Sequence, residues 1–302
     1  MKRWLLLGVV LAMSGCAAQP AATQAPYARV HEFYSGEGGI FANAYLVETR
    51  TGVVAIDATL LESTSKDLRK KLIAIGKPLK AVLLTHGHPD HYNGVTNLLA
   101  GETVDVVSTP GTDRVIRESD AAKEKQWSPV FKSEWPAKRT FPTRTLIDGA
   151  ALEIDGVKFT VHDLGKGESH SDSYWVMESG GDKTAFIGDV VLNRVHAYVS
   201  DEHTAQWLAN IERVKRDLRG IEKIYPGHGE AGDLSMLDWQ RQYLMDYRRA
   251  VAELAANKPQ LTDAAKQRLV ERMKAVLPNG KLEFLISLGA DAVARELVDE
   301  KR

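Results

Sequence analysis

The chain has 302 residues and a single cysteine, Cys16. Everything after it is free of thiols, so no disulfide can staple the fold and no thiolate can bind a metal there. Charge of one sign is also missing: 39 Lys and Arg against 40 Asp and Glu leave a formal net charge of -1. That removes the bulk electrostatic argument for a nucleic-acid or anionic-membrane surface. No fixed-period repeat and no low-complexity block is present. The apolar run Trp4–Met13 has only ten residues, too few to cross a bilayer but the right length for the apolar part of a leader. What remains is an ordinary composition, 44% hydrophobic and 26% charged, with enough chain for one large domain or two small ones.

The amino terminus reads as an export signal. Lys2 and Arg3 precede the apolar run, and MSGC at 13–16 resembles a bacterial lipobox. By that resemblance Cys16 is lipidated and residues 1–16 form a lipoprotein signal peptide. The plainer alternative is a secretory signal that happens to contain a Cys, but a lone Cys in an exported chain asks for a partner or a modification. Ala17 after the Cys resembles the sorting pattern for an outer membrane. The expectation is a periplasm-facing lipoprotein, anchored to a membrane through Cys16. Residues 17–26, AAQPAATQAP, cannot bury enough apolar surface to fold and read as a flexible tether.

From Tyr27 onward strands and helices alternate in blocks. YARVHEF reads as a strand, and NAYLVETRTGVVAIDATL as two strands around Thr51-Gly52. Ser63–Ile75 has helical spacing at Leu68, Leu72 and Ile75, with Gly76 as its cap. Ala81–Leu84 is a continuous apolar run, as in a strand buried on both faces. Helices are expected over Asn93–Leu99 and Thr112–Lys125. The stretch 126–142, with two Trp, two Phe and three Pro, reads as a long irregular connection. A hairpin is signalled at Asp155-Gly156, strands at SYWVMES, KTAFIGD and IEKIYPGHGE, and a helix over His203–Leu218. Residues 236–302 read as helical throughout, with breaks near Lys258-Pro259 and Pro278–Gly280. Tyr243, Leu244 and Tyr247 have the spacing of a core-facing stripe. Hairpins in both halves argue against a doubly wound parallel sheet. The pattern predicts an α/β fold with α+β-like mixed sheets, packed together and covered by helices, over 27–235, with a helical C-terminal extension over 236–302 packed on the same domain.

The chemistry is concentrated in AVLLTHGHPDHYNGV, Ala81–Val95. In an extended segment alternate residues share a face, so His86, His88 and Asp90 can converge, while His91 turns at the start of the next helix. A single His is most often a satisfied core or surface residue. Four titratable side chains behind a buried strand point to a metal site, and imidazole plus carboxylate without thiolate suits Zn, Fe or Mn.

Thr85–His91 resembles the H-x-H-x-D-H signature of the metallo-β-lactamase superfamily. The rest of that family's pattern follows in order: Asp57 in AID, His170 in GKGESHSDSY, Asp189 in FIGD, and His228 in YPGHGE. The resemblance covers about residues 28–232 and implies an αββα sandwich holding two divalent metal ions, Zn first and Fe or Mn next. It implies that His86, His88 and His170 hold one ion, Asp90, His91 and His228 the other, and that Asp189 bridges them. Asp57 is then expected to support the ligand loop by hydrogen bonds without touching metal. Of the other histidines, His31 and His162 match no motif, and His196 and His203 read as solvated loop residues that could instead line the pocket.

Two divalent cations lower the pKa of a shared water, so the resemblance implies a dinuclear-site hydroxide attacking a carbonyl, with Asp90 in a catalytic role and Tyr92 and Tyr198 as proton-donor candidates. A bridging Asp where well-known β-lactamases have Cys is usual in lactonases and glyoxalase II-like thioesterases. The leading expectation is a metallo-hydrolase of a small carbonyl substrate, a cyclic amide or ester, β-lactamase-like or lactonase-like. The alternatives are an iron-dependent persulfide oxygenase, a glyoxalase II-like thioesterase, or a non-catalytic anchored binding protein. No nucleic-acid partner is expected.

Overall fold

Two mixed sheets lie face to face in the computed structural model, which describes residues 27–301. The leader, Cys16 and the tether lie outside the described residues. The first sheet contains β1 (Arg29–Tyr34), β2 (Asn43–Glu48), β3 (Val53–Ile56), β4 (Leu79–Leu83), β5 (Asp105–Ser108) and β6 (Arg144–Thr145), hydrogen-bonded in that order. The second runs β11-β10-β9-β8-β7, from β7 (Ala151–Ile154), β8 (Val157–Gly165), β9 (Asp172–Ser179), β10 (Asp182–Leu192) and β11 (Lys223–His228). The Thr51-Gly52 and Asp155-Gly156 turns join antiparallel neighbours, β2 to β3 and β7 to β8.

The two-residue period of a strand sorts its side chains between layers. On β2, Tyr45 and Val47 face the other sheet, where Phe159, Trp175 and Phe186 meet them. Ala44 and Leu46 face outward onto Leu68 and Leu72 of α1 (Glu62–Ile75). Strand β3, VVAI, is buried at all four positions, which is why it shows no alternation. Three short or long helices complete that side: α2 (Pro89–Tyr92), α3 (Val95–Leu99) and α4 (Pro110–Phe131). Helices α5 (Thr204–Asp217), α6 (Ser235–Ala255), α7 (Asp263–Val276), α8 (Phe284–Leu288) and α9 (Ala290–Asp299) cover the second sheet. Tyr174, Val176, Ala185 and Ile187 share one apolar cluster with Trp207 of α5 and with Tyr243, Leu244 and Tyr247 of α6. The architecture is an αββα sandwich, and the C-terminal helices contribute to the same core as β9 and β10. No helix among the described residues is long and apolar enough to cross a membrane.

The connection over 126–142 differs from expectation. Helix α4 continues to Phe131, through Pro129, and a 3₁₀ turn follows at Lys132–Glu134. Proline cannot supply the hydrogen bond back to residue 125. Trp127, Phe131 and Trp135 nevertheless pack with Leu60 and Leu61, and this contact holds the last turn in place. His196 also departs from the reading as a solvated or pocket residue: it is fully buried, with Nδ1 2.9 Å from the Tyr243 hydroxyl.

Candidate metal centre

The site sits where β3, β4 and β11 end and where β10 passes its irregularity at Gly188. These are neighbours or facing strands of the packed sheets, so these positions are rigid. Asp57 follows β3 in a left-handed conformation, φ 58°, tolerated by Asp better than by most residues. Its carboxylate accepts from the Thr85 amide at 2.9 Å and the Thr85 hydroxyl at 2.8 Å, fixing the chain that leaves β4. The same carboxylate is 2.8 Å from His91 Nδ1. That bond sets the His91 tautomer and turns Nε2 toward Asp90 and Asp189, 3.4 Å from each.

Sequence alternation placed His86, His88 and Asp90 on one face. The structure separates Asp90 from the other two, because the extended run ends at His88. Pro89 has a fixed φ suited to the first helical position and starts α2, which rotates Asp90 and His91 toward a different neighbour. Two donor groups result. Asp90, His91, Asp189 and His228 form one, and His86, His88 and Glu168 form the other, with the donor atoms of each group within 4.8 Å of one another. Asp189 lies between them, with Oδ2 3.3 Å from His228 Nε2 and 4.0 Å from His86 Nε2.

His228 is held from behind. Asn43 Nδ2 donates to the carbonyls of Pro226 at 3.1 Å and Gly229 at 2.7 Å. Between them, Gly227 lets the backbone pass Asp189: a Cβ there would sit 1.8 Å from Asp189 Oδ1.

His170 is placed outside both groups. Its side chain is 52% exposed, and its Nδ1 is 2.8 Å from His203 Nε2. Glu168, two residues earlier in the same loop, is buried instead, with Oε2 3.0 Å from His88 Nδ1 and 3.5 Å from His86 Nε2. Asp201 is a second residue that motif reading missed: its Oδ2 lies 3.1 Å from His88 Nε2. Glu168 was present in GKGESHSDSY as a loop carboxylate, whereas no sequence signal marks Asp201. Tyr92 is removed as a proton donor to substrate, since it is fully buried and donates to Asp120 at 2.9 Å. Tyr198 does line the pocket.

The electrostatics call for positive charge. Burial opposes protonation of His88, but Glu168 and Asp201 outweigh it and carry its pKa up to about 10. Burial likewise opposes charge on His228, which Asp189 and Asp90 carry up to about 10. Asp90 and Asp189 lie below the ordinary carboxylate range: burial would raise them, and the neighbouring imidazoles, His91 and His228, prevail. Glu168 moves the other way, up to about 8, through burial reinforced by Asp189 and Asp172. His86 falls well below its usual value, first through burial and then through His91.

Unpartnered polar atoms test whether metal ions fit. More than about 90% of buried polar groups in proteins find a hydrogen-bond partner. Here His86 Nε2, His91 Nε2, Asp189 Oδ1 and both Glu168 oxygens are buried without one. All are lone-pair donors of the types that bind divalent cations. The two groups fit such ions, and the His/Asp cluster suggests divalent metals.

A narrow cavity of about 90 Å³ opens onto Asp90, Asp189, Glu168 and His228. Its walls are largely apolar, from Trp127 and Phe131 of α4, Trp135, and Leu282, Phe284 and Leu285 at the C-terminal helices. Lys123 is the one Lys or Arg on the wall among the described residues, with Nζ 3.4 Å from the Tyr198 hydroxyl.

Known proteins resemble this chain over most of its length. A lactamase-like protein from Pestalotiopsis fici is 26% identical over 272 residues, covering 86% of this chain and 75% of that protein. A type 2 metallo-beta-lactamase from Bacillus cereus is 24% identical over 215 residues, covering 68% of this chain and 73% of that protein. Among solved structures, a beta-lactamase domain protein from Burkholderia ambifaria superposes with a TM-score of 0.66 at 19% identity, covering 95% of this chain and 92% of that one. A metallo-beta-lactamase family protein from Thermus thermophilus gives 0.64 at 20% identity, covering 91% and 93%. The sequence model of the metallo-beta-lactamase superfamily matches residues 38–228, which contain Asp57, both donor groups and the loop between β8 and β9. The chain belongs to the metallo-beta-lactamase superfamily.

Proposed function

We propose that the protein is a dinuclear metal-dependent hydrolase that opens a cyclic amide or ester, β-lactamase-like or lactonase-like, with Zn as its first-choice metal. The observation that carries this reading is the pair of buried donor groups sharing Asp189 at the floor of a cavity. When bound, two divalent cations supply a nucleophile from water near neutral pH and an electrophilic contact for a carbonyl oxygen.

The chain's own residues supply the rest. Asp90 faces the cavity and stays ionised, so it can accept a hydrogen bond from an incoming water and orient it. Asp57 holds His91, and Asp201 holds His88, so neither imidazole needs to reorganise. Burial, with Asp201 adding, pushes the Tyr198 phenol well above its usual range, so it keeps its proton, and its long 3.3 Å bond to Asp201 leaves that hydroxyl able to turn to a leaving group in the cavity it lines. Lys123 beside it offers a cation for a substrate carboxylate or a developing anion. The apolar walls favour a substrate with an apolar group beside its carbonyl. The name of the Bacillus cereus relative supports a β-lactam as one such ring.

One observation favours a second reading. His86, His88 and Glu168 form a two-histidine, one-carboxylate set, a pattern that suits iron, so an iron-dependent oxygenase is the rival. Elemental analysis of the purified protein, beside turnover of a chromogenic β-lactam and a simple lactone, separates them. Two Zn per chain with hydrolysis supports the hydrolase. One Fe with no hydrolysis of either compound overturns it.

We also propose that the protein acts in the periplasm, anchored through Cys16. MSGC and the tether in the sequence support this. Cys16→Ala should move the protein from the membrane to the soluble fraction. If it leaves the fractionation unchanged, the anchor assignment is wrong.

A further inference from the structure

We propose that Glu168, and not His170, completes the metal group with His86 and His88. This rests on the reading that the centre binds divalent cations. The Glu168 side chain is fully buried, and neither of its oxygens is hydrogen-bonded. Oε2 pairs with His88 Nδ1 at 3.0 Å and approaches His86 Nε2 at 3.5 Å, so it faces the two imidazoles of its own group. A buried carboxylate faced only by imidazoles, with no backbone or hydroxyl donor on either oxygen, is costly unless a cation takes the place of water. His170 has no such need, because it is half-exposed and paired with His203.

The loop is built to point Glu168 inward. Asp172 folds it back on itself, accepting from the Glu168 amide at 2.6 Å, the Ser169 amide at 3.1 Å and the Ser169 hydroxyl at 2.5 Å. Asn210 Nδ2 ties down the Lys166 carbonyl at 2.8 Å. Gly167 is required between them, since a Cβ there would lie 2.5 Å from Asp172 Oδ2 and 2.7 Å from Asn210 Nδ2. Asp172 is itself bridged to His86, so the loop is registered against the ligand it joins. Bringing His170 to the place of Glu168 would slide the chain by two residues, roughly 7 Å along an extended backbone. Such a slide would break every one of these bonds.

Asp201 closes the other side. It holds His88 Nε2, so Nδ1 is the nitrogen left facing Glu168. It also stands between His88 and His170, whose Nε2 is 3.9 Å from the same Oδ2. The seven donors then include three carboxylates, Asp90, Asp189 and Glu168. A harder donor set of this kind shifts metal preference toward Mn and Fe relative to a set with a fifth neutral imidazole in place of Glu168.

Metal stoichiometry and affinity decide the matter, measured by titrating the metal-free full chain with Zn and with Mn and by elemental analysis after desalting. His170→Ala should keep two ions per chain and wild-type affinity within about threefold. Glu168→Gln should lose one ion. Glu168→His, which restores a donor, should recover the second ion while raising the Zn-to-Mn affinity ratio, and it serves if Glu168→Gln does not fold by circular dichroism. Loss of an ion in His170→Ala, or two tightly held ions in a folded Glu168→Gln, would overturn the assignment. A wild type that binds no divalent cation would instead defeat the metal-dependent reading itself.

Discussion

The two donor groups meet beside Asp189 and stand on different kinds of backbone. Asp90, His91, Asp189 and His228 come from a helical turn, the body of β10 and the end of β11, and tertiary packing holds all three elements. His86 and His88 also leave a strand end, but their third partner, Glu168, comes from the loop between β8 and β9. Strand ends inherit rigidity from the sheet. The loop is held by polar bonds, chiefly to Asp172 and Asn210, with the Thr112 hydroxyl donating to the Ser171 carbonyl. The contrast teaches that one candidate centre can combine positions fixed by core packing with a position fixed by local polar chemistry.

The largest effect should come from the residue that belongs to both sides. Asp189→Ala removes the carboxylate between His228 and His86. Residues one step out from a metal typically cost 10–100-fold when removed, so loss of this donor should cost more than about 100-fold in turnover. Elemental analysis should show both ions weakened. If only one ion is affected, Asp189 is not shared and the comparison between groups loses its hinge.

A matched pair of substitutions asks whether each group has its own support. Asp57→Asn keeps shape and backbone tolerance while weakening the bond to His91. Asp201→Asn does the same to His88. Each should lower metal affinity by roughly 10–100-fold, Asp57→Asn chiefly at the Asp90 side and Asp201→Asn chiefly at the Glu168 side. Competitive titration of the two ions reads this directly. Equal loss at both sites from either variant would mean that the groups act as one unit.

Much of this is legible in the sequence alone. The apolar strand before His86 marks the His86–His91 cluster by its local pattern, whereas Asp57, Asp189 and His228 are legible only through the resemblance to the metallo-β-lactamase superfamily. The αββα layering follows from hairpins and doubly buried strands. The choice between Glu168 and His170 is not legible by residue type, because a loop has no periodicity and the deciding bond runs from Asp172. Asp201 is invisible because it reaches His88 only through the fold. The course of α4 past Pro129 is hidden too, since its compensation is contact of aromatics with Leu60 and Leu61 across the chain.

Removing the metals should expose the difference in backbone. Each ion held at a thousand times its dissociation constant adds about 4 kcal/mol to stability, so two add about 8 kcal/mol. Chelation should therefore lower the melting temperature by roughly 10–20 °C. Hydrogen exchange should then rise most at amides 166–171, where polar bonds alone hold the loop, and least in β10 and β11. A uniform rise across both regions would remove the distinction between packed and locally bonded ligand positions.

The smallest effect tests a residue outside both groups. Trp127 lies on the cavity wall, packs near Phe131 and belongs to neither donor group. Trp127→Ala should leave metal content unchanged, because none of the bonds that orient the ligands passes through it. It should lower kcat/KM for an apolar carbonyl substrate by roughly 5–10-fold, the low end of what an apolar pocket contact contributes, since this wall is open to solvent on one side. The loss should fall on KM, and a small polar substrate should be nearly unaffected. If kcat falls for both substrates alike, the end of α4 positions the reacting carbonyl rather than the apolar group beside it. The metal groups and the wall would then be one machine, and the division between rigid donors and an adaptable pocket would have to be redrawn.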